Sequence, residues 1–191
     1  MKPPSSPVTA LDLPPLDPLP EKTAAYFELC QEKLGLVPNV LWAYAFDDEK
    51  LKTFTALYND LMLGESGLSK LEREMIAVVV SSINRCHYCL VAHGAAVREL
   101  SGDPALGDAL VANYRAADLD ARRRAMLDFA AQMTAESHSI EEADRAALRS
   151  AGFSDRDIWD IIATAAFFAM TNRVASASAM RPNPEYNAQG R

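Results

Sequence analysis

The sequence has few cysteines and no clustered positive charge. Three of its 191 residues are cysteines, and the formal net charge is −7. No Lys/Arg-rich segment is present, and the short cluster at 122–124 is expected to be a solvated helix face. Binding to nucleic acid or to an anionic membrane surface is therefore not expected. The longest apolar region, 158–170, is too short to span a bilayer and contains Asp160, so no membrane partner is expected.

Proline is scarce outside the N-terminal segment. Residues 1–20 hold seven of the eleven prolines, a density that excludes a helix and predicts an extended arm lying on the body or on a neighbouring subunit. This segment lacks the uninterrupted apolar stretch of a secretory signal, so a cytoplasmic location is expected. We predict an arm at 1–20, a single domain at 21–181 and a tail at 182–191.

Helical periodicity dominates the remainder of the chain, which only Pro38 and Pro104 interrupt before residue 180. The pattern predicts an all-α fold with helices at 22–34, 40–46, 48–63, 70–84, 86–101, 104–116, 121–136, 140–151 and 155–179. Capping boxes, in which a serine and an acidic residue satisfy each other's backbone N–H groups, are predicted at Ser69–Glu72, Ser139–Glu142 and Ser154–Asp157.

Two segments resemble each other within the chain. GLSKLERE (67–74) and GFSDRDIWD (152–160) share the order Gly, apolar, Ser, two residues, acid, and each leads into an apolar helix. An internal duplication of the bundle is one explanation. Convergent capping chemistry explains the similarity nearly as well.

The segment NRCHYCLVAH (84–93) places Cys86 and Cys89 three residues apart, with His93 four residues further on. On a helix these three side chains share one face, and the two thiols come close to disulfide-forming distance. The first turn of a helix also lowers a thiol pKa through its unpaired N–H groups and dipole. Two thiols and a base thus converge, as covalent catalysis requires.

Glu74 lies early in the apolar segment LEREMIAVVVSSI (71–83), which predicts a buried helix. A carboxyl group in these surroundings favours its protonated form, as a proton-relay acid working near neutral pH must. A first-turn acid stabilised by the helix dipole explains the same residue equally well.

Other roles for the cysteine pair have less support. Haem attachment needs a histidine directly after the second cysteine, where Leu90 stands. A thioredoxin-like site needs alternating strands and helices, and no strand is expected. A zinc site would lack a second Cys or His pair to complete it. Its ligands would be Cys86, Cys89, His93 and either His87 or Glu74. A metal site and a purely structural role remain as alternatives.

The pattern E-x11-C-x-x-C-x-x-x-H resembles the AhpD-like alkylhydroperoxidases of the carboxymuconolactone decarboxylase superfamily, and residues 34–54 and 151–186 look like its longer peroxidase-related branch. The resemblance implies a helical antioxidant fold that forms homo-oligomers. It also implies that Cys89 attacks the peroxide as a thiolate and that Cys86 resolves the sulfenic acid as a disulfide. The implied proton relay consists of His93 and Glu74.

One position departs from the family pattern, which has a histidine immediately before the second cysteine. Tyr88 stands there, and His87 lies one residue earlier. A phenol is not a base near pH 7, but it can donate a hydrogen bond or shape a substrate pocket. His87 is expected to face solvent or a subunit contact. Asn172 and Arg173 lie late in an apolar helix and need polar partners, at a subunit interface or at the active site.

The leading hypothesis is a thiol-dependent peroxidase that reduces hydrogen peroxide or small organic hydroperoxides. No flavin, haem or nucleotide motif is present, so no cofactor is expected and electrons must come from an external dithiol. One alternative is a lyase that uses His93 and Glu74 as acid–base groups on a lactone acid. Another is a metal- or redox-sensing protein without turnover.

Overall fold

A computed structural model describes residues 3–191, and every regular element in that range is helical. Its α-helices are α1 (Glu21–Leu34), α2 (Asn39–Tyr44), α3 (Asp48–Leu63), α4 (Lys70–Ile83), α5 (His87–Ser101), α6 (Pro104–Asn113), α7 (Ala121–Glu136), α8 (Glu142–Ser150) and α9 (Asp155–Ala177). Short 3₁₀ turns follow at Tyr114–Ala116, Ser137–Ser139 and Pro184–Asn187. The predicted all-α class is confirmed, and no predicted helix boundary differs by more than three residues.

Helix α4 is the centre of the molecule. Every residue from Met75 to Val80 is completely buried, and α5, α6, α7 and α9 all pack against this helix. Successive helical side chains point in directions about 100° apart, so a continuous buried run requires neighbours on all sides. Each large apolar side chain buried there contributes about 1.5–3 kcal/mol.

A second layer, built from α1, α2 and the start of α3, covers one side of this bundle. Its own apolar cluster includes Phe27 and Trp42, whose rings meet edge to face with centroids 4.8 Å apart. The site described below lies between this layer and the bundle, since α1, α2, α3, α5 and α9 all contribute to its walls.

Two of the three predicted capping boxes are present, at Ser69–Glu72 and Ser154–Asp157. The third, at Ser139–Glu142, was wrong. The Ser139 hydroxyl donates to the Glu136 carbonyl oxygen at 2.8 Å and closes a 3₁₀ turn. Helix α8 is capped instead by Glu141 and Asp144, a pair that lies two residues further along the chain.

The two similar segments, 67–74 and 152–160, meet in the fold, and Arg122 of α7 connects them. Its Nε donates to Glu72 Oε1 at 3.2 Å and its Nη1 donates to the Gly152 carbonyl oxygen at 3.1 Å. The guanidinium also lies 3.6 Å from the ring centroid of Phe153. The expectation of a solvated helix face was therefore wrong for Arg122, because its planar donors and its flat face both find partners.

Residues 3–20 contain no helix and run along the body of their own chain. The N–H of Ala10 donates to the Ser178 carbonyl oxygen at 2.8 Å, and the carbonyl of Val8 accepts from the N–H of Arg181 at 2.9 Å. These bonds fasten the segment to the end of α9.

The segment 182–191 crosses α5, where Arg98 holds it. This arginine is only 5% exposed, and it donates to the carbonyl oxygens of Tyr186 at 2.8 Å and Gln189 at 3.0 Å. Arg191 adds an exposed ion pair with Asp108 at 3.0 Å. Helix α5 thus fixes the position of Tyr186, which lines the site.

Candidate active site

The cysteine pair lies at the beginning of α5. Asn84 ends α4, and Arg85 adopts a left-handed conformation with φ 54°, which reverses the chain between the two helices. Cys86 is the N-cap residue of α5 and Cys89 stands in its first turn. Both thiols are reduced and nearly inaccessible, with 1% and 4% of their surface exposed.

His93 and Glu74 form a hydrogen-bonded pair across α4 and α5. The Nδ1 atom of His93 lies 2.6 Å from Glu74 Oε2, and both side chains are largely buried. The imidazole also packs edge-on against Phe168, with ring centroids 4.6 Å apart. Since the carboxylate engages Nδ1, the ring orientation is fixed and Nε2 remains for proton transfer.

The two thiols interact, and this interaction dominates the acidity of both. A hydrogen bond from Cys89 lowers the pKa of Cys86 to about 6 against the effect of burial, assisted by the Cys89 N–H, by Ser176 and by the charge of His93. The same interaction, together with burial, raises the pKa of Cys89. The pair thus releases one proton readily and the second only with difficulty.

A cavity of about 560 Å³ opens beside Cys89. Glu74 and His93 lie on the same wall, whereas Cys86 does not reach the cavity. Most of the lining is apolar or aromatic, and the volume is that of sites for organic ligands. Five of the six tyrosines of the chain contribute to it, namely Tyr26, Tyr44, Tyr58, Tyr88 and Tyr186.

Aromatic rings form a continuous row along the cavity. From Phe168, which touches His93, contacts continue to Phe167 at 5.4 Å, to Phe54 at 5.7 Å and to Tyr44 at 4.5 Å between centroids. These separations are typical of favourable aromatic pairs. The row joins α9, α3 and α2 and gives the cavity a rigid apolar face.

Tyr88, which replaces the usual histidine, connects two helices. Its hydroxyl oxygen accepts a hydrogen bond from the Val40 N–H at 3.0 Å, and the ring lines the cavity. Burial raises the pKa of Tyr88 well above its ordinary value, so the phenol stays protonated. His87, on the opposite side of α5, is exposed.

Sequence reasoning missed several polar neighbours of the thiols. Ser81 and Asn172 lower the pKa of Cys89, and Ser176 lowers that of Cys86. Asn172 was singled out as a polar residue in an apolar helix with partners at a subunit interface or at the active site, and Ser81 gives the same signal in α4. Within residues 3–191, no three or more His, Cys, Asp or Glu side chains are arranged to hold a metal ion.

The fold and the site define a class of all-helical proteins with a buried dithiol beside a Glu–His pair, and comparison with known proteins identifies the family. The carboxymuconolactone decarboxylase family model matches residues 48–105. The structure of an uncharacterized peroxidase-related protein from Silicibacter sp. TM1040 is 72% identical, with a TM-score of 0.95 over 100% of this chain and 99% of that chain.

A second similar structure is described as an alkylhydroperoxidase AhpD core, an uncharacterized peroxidase-related protein from Ralstonia eutropha JMP134. It is 43% identical, with a TM-score of 0.93 over 98% of both chains. The chain therefore belongs to the AhpD-like proteins of the carboxymuconolactone decarboxylase superfamily.

A more distant likeness concerns the fold alone. The debrominase Bmp8 is 18% identical, with a TM-score of 0.77 over 94% of this chain and 96% of that chain. No curated protein matches the sequence significantly. Across the part of the chain that the structure describes, none of the helices has the length and apolar character needed to cross a membrane.

Proposed function

We propose that the protein is a thiol-dependent peroxidase that reduces hydrogen peroxide or organic hydroperoxides through a disulfide cycle of Cys86 and Cys89. One observation carries this proposal. A cysteine with a second thiol beside it lies on the wall of an apolar cavity, and the hydrogen-bonded Glu74–His93 pair lies on the same wall.

The first step transfers two electrons from sulfur to the peroxide. The Cys89 thiolate attacks the terminal oxygen of ROOH, the O–O bond breaks, and Cys89 becomes a sulfenic acid. The departing alkoxide takes a proton from the His93 imidazolium, whose charge Glu74 stabilises. An alcohol leaves the cavity, and the sulfenic acid remains beside Cys86.

The second step forms the disulfide. The Cys86 thiolate attacks the Cys89 sulfur, the S–O bond breaks, and the hydroxide that leaves is protonated to water. In total one dithiol and one hydroperoxide give one disulfide, one alcohol and one water. An external dithiol then reduces the disulfide, which is the role we propose for the protein's redox partner.

The different positions of the two sulfurs suit this division of roles. Cys86 holds the negative charge more easily, whereas only Cys89 reaches the cavity. Proton transfer along the hydrogen bond between the thiols moves the charge to the sulfur that meets the substrate. Cys86 stays shielded from the peroxide and reacts only with the sulfenic acid.

We also propose that the protein forms homo-oligomers. Several large apolar side chains line the cavity and are exposed at its rim, with 40–57% of their surface accessible. They are Leu29, Leu34, Leu63, Leu100 and Val174. Contiguous exposed apolar surface is typical of protein interfaces, and association of copies over this rim would remove it from water.

A lyase acting on a lactone acid is the second candidate, because the 2.6 Å contact of Glu74 and His93 suits acid–base catalysis in general. Such chemistry uses neither thiol. Alkylation of the reduced protein separates the two functions, since a peroxidase loses its activity and a lyase keeps it unless the adduct blocks the cavity. The Cys89→Ser variant carries no adduct and distinguishes these cases.

The proposed function is tested by the masses of the intact protein and of its peptides. Freshly reduced, metal-free protein receives one equivalent of cumene hydroperoxide, with Cys86→Ser in parallel. The control is Cys30→Ser, which removes the third cysteine, a residue of α1 that also lines the cavity. We expect rapid loss of two hydrogens, mapped to a Cys86–Cys89 bridge, and a sulfenic acid on Cys89 in Cys86→Ser. Persistence of both reduced thiols would overturn the proposal.

A further inference from the structure

Helix α9 brings one hydrogen-bonding side chain to each thiol. Ala175 of α9 packs in one buried cluster with Cys86 and Cys89. This places Asn172, on the preceding turn, beside Cys89, and Ser176 beside Cys86. Residues four apart lie on the same face of a helix. A single strip of α9 therefore faces both sulfurs, although α9 is more than 60 residues away from them in sequence.

The Asn172 amide is fixed on both of its sides. The residue is 1% exposed, its Oδ1 accepts from Asn84 Nδ2 at 3.0 Å, and its Nδ2 donates to Ser81 Oγ at 2.9 Å. A side-chain amide has two N–H donors. With one donor used by Ser81, the second is the group that remains for the Cys89 sulfur.

Ser81 adds a second donor. Its carbonyl oxygen accepts from the Cys86 N–H at 3.0 Å, which places it at the start of α5. Its Oγ accepts from Asn172, so its own hydrogen is free to point at Cys89. Ser81 is completely buried in α4, where a hydroxyl hydrogen without an acceptor is unfavourable. Both contacts lower the pKa of Cys89 and so oppose the larger effects of Cys86 and burial.

We propose that Asn172 and Ser81 form a donor cradle that stabilises the Cys89 thiolate and keeps its sulfur directed to the cavity, with Asn84 holding the Asn172 amide in orientation. The cradle deepens the proposed function, because it supplies the charge stabilisation needed when the proton moves from Cys89 to Cys86. Preorganised N–H and O–H donors stabilise an anion without reorganisation during the reaction.

Other titratable groups near the sulfurs come from α4 and α5. They are Cys86 itself, His93 with its partner Glu74, and Tyr88, whose acidity Cys89 influences. The residues of α9 at the thiols are uncharged. A change in the acidity of Cys89 caused by an uncharged substitution on α9 therefore reports the cradle and not a new charge.

The test measures Cys89 alone and uses no peroxide. In the Cys86→Ser background, the rate of alkylation of Cys89 by iodoacetamide is followed against pH, with the site assigned by peptide mass. Asn172→Leu keeps the approximate size of the side chain and removes both N–H donors without adding a charge. Asn172→Asp also removes them, keeps the acceptor for Asn84 and adds a negative charge. Ser81→Ala removes the hydroxyl donor. Ser178→Ala, which removes a buried hydroxyl that bonds within α9, is the control.

We expect the pH midpoint of alkylation to rise by about one unit in Asn172→Leu and Ser81→Ala, with a rate at pH 7 about tenfold lower, and to stay unchanged in Ser178→Ala. In Asn172→Asp the midpoint should rise further, because the new carboxylate also repels the thiolate. Unchanged midpoints in Ser81→Ala and in Asn172→Leu, where no new charge is introduced, would overturn the proposal. Should Asn172→Asp fail to fold, these two variants decide.

Failure of the proposed function gives a different pattern. If peroxide leaves the wild-type thiols reduced while the midpoints still shift, the cradle stands and the peroxidase function does not. If peroxide forms the disulfide and the midpoints do not shift, the function stands and the cradle does not.

Discussion

The Nδ1 atom of His93 lies 2.6 Å from Glu74 Oε2, although 19 residues separate them along the chain. The contact exists because the turn at Arg85 folds α5 back along α4, where these two helices pack closely. The pair and Cys89 then share one wall of the cavity. The proposed proton donor and the proposed nucleophile are thereby held side by side by two packed helices.

Removing the carboxylate of this pair should slow the chemistry. In Glu74→Gln the imidazolium of His93 loses its counter-charge, so we expect the second-order rate of Cys89 oxidation to fall on the order of 10²-fold. Stopped-flow measurement with cumene hydroperoxide gives this rate. Glu99→Gln changes a carboxylate on the exposed rim of the cavity and should react at the wild-type rate. Equal rates for both variants would exclude Glu74 from the relay.

The acidity of the dithiol should be visible in a pH titration. The pKa of Cys86 lies at about 6, below the ordinary value of a thiol. Its thiolate is therefore lost as pH falls through 6 and is almost fully formed by pH 8. We expect ultraviolet absorbance to show one thiolate step near pH 6 in the reduced protein. Cys86→Ser should lack this step, and its persistence there would assign the charge to another cysteine.

Local sequence patterns predicted the helices and placed the cysteine pair correctly, because periodicity and caps depend on residues within one turn of each other. The capping box predicted at Ser139 was wrong because α8 has two candidate cap residues, Ser139 and Glu141, only two positions apart. The choice between them depends on how α8 packs against α7. The pairing of Asn172 with Ser81 depends on how α9 lies against α4, and no local pattern contains that information.

The cavity was also beyond prediction from the sequence. Its tyrosines come from α1, α2, α3, α5 and the segment after α9, so their convergence follows only from the assembled fold. Tyr44, for example, stacks on Phe54 with centroids 4.5 Å apart, and the same ring lines the cavity.

Filling the cavity should separate large substrates from small ones. Ala96 lines the cavity on α5, one turn from Ala92, and Ala96→Trp should occupy space that a bulky hydroperoxide needs. We expect kcat/KM for cumene hydroperoxide to fall about tenfold, corresponding to roughly 1.4 kcal/mol. Hydrogen peroxide needs little of this volume, so its kcat/KM should change less than twofold. Equal losses for both peroxides would mean that organic substrates do not enter this cavity.

The attachment of the segment 182–191 should depend on one buried arginine. Both acceptors of Arg98 are carbonyl oxygens of that segment, those of Tyr186 and Gln189. Arg98→Met keeps the apolar stem but removes two charge-assisted hydrogen bonds. We expect a loss of about 3 kcal/mol in the free energy of unfolding, measured by urea denaturation.

Loss of these hydrogen bonds should also free Tyr186, whose ring lines the cavity. In Arg98→Met the cavity should open at this side, so proteolysis should cleave the segment faster and a hydrophobic dye should bind more strongly. Arg191→Ala is the control, since its partner Asp108 is half exposed and such surface pairs contribute at most about 1 kcal/mol. Equal proteolysis of the two variants would show that Arg98 does not hold the segment, and a stability loss confined to Arg98→Met would then reflect packing within α5 alone.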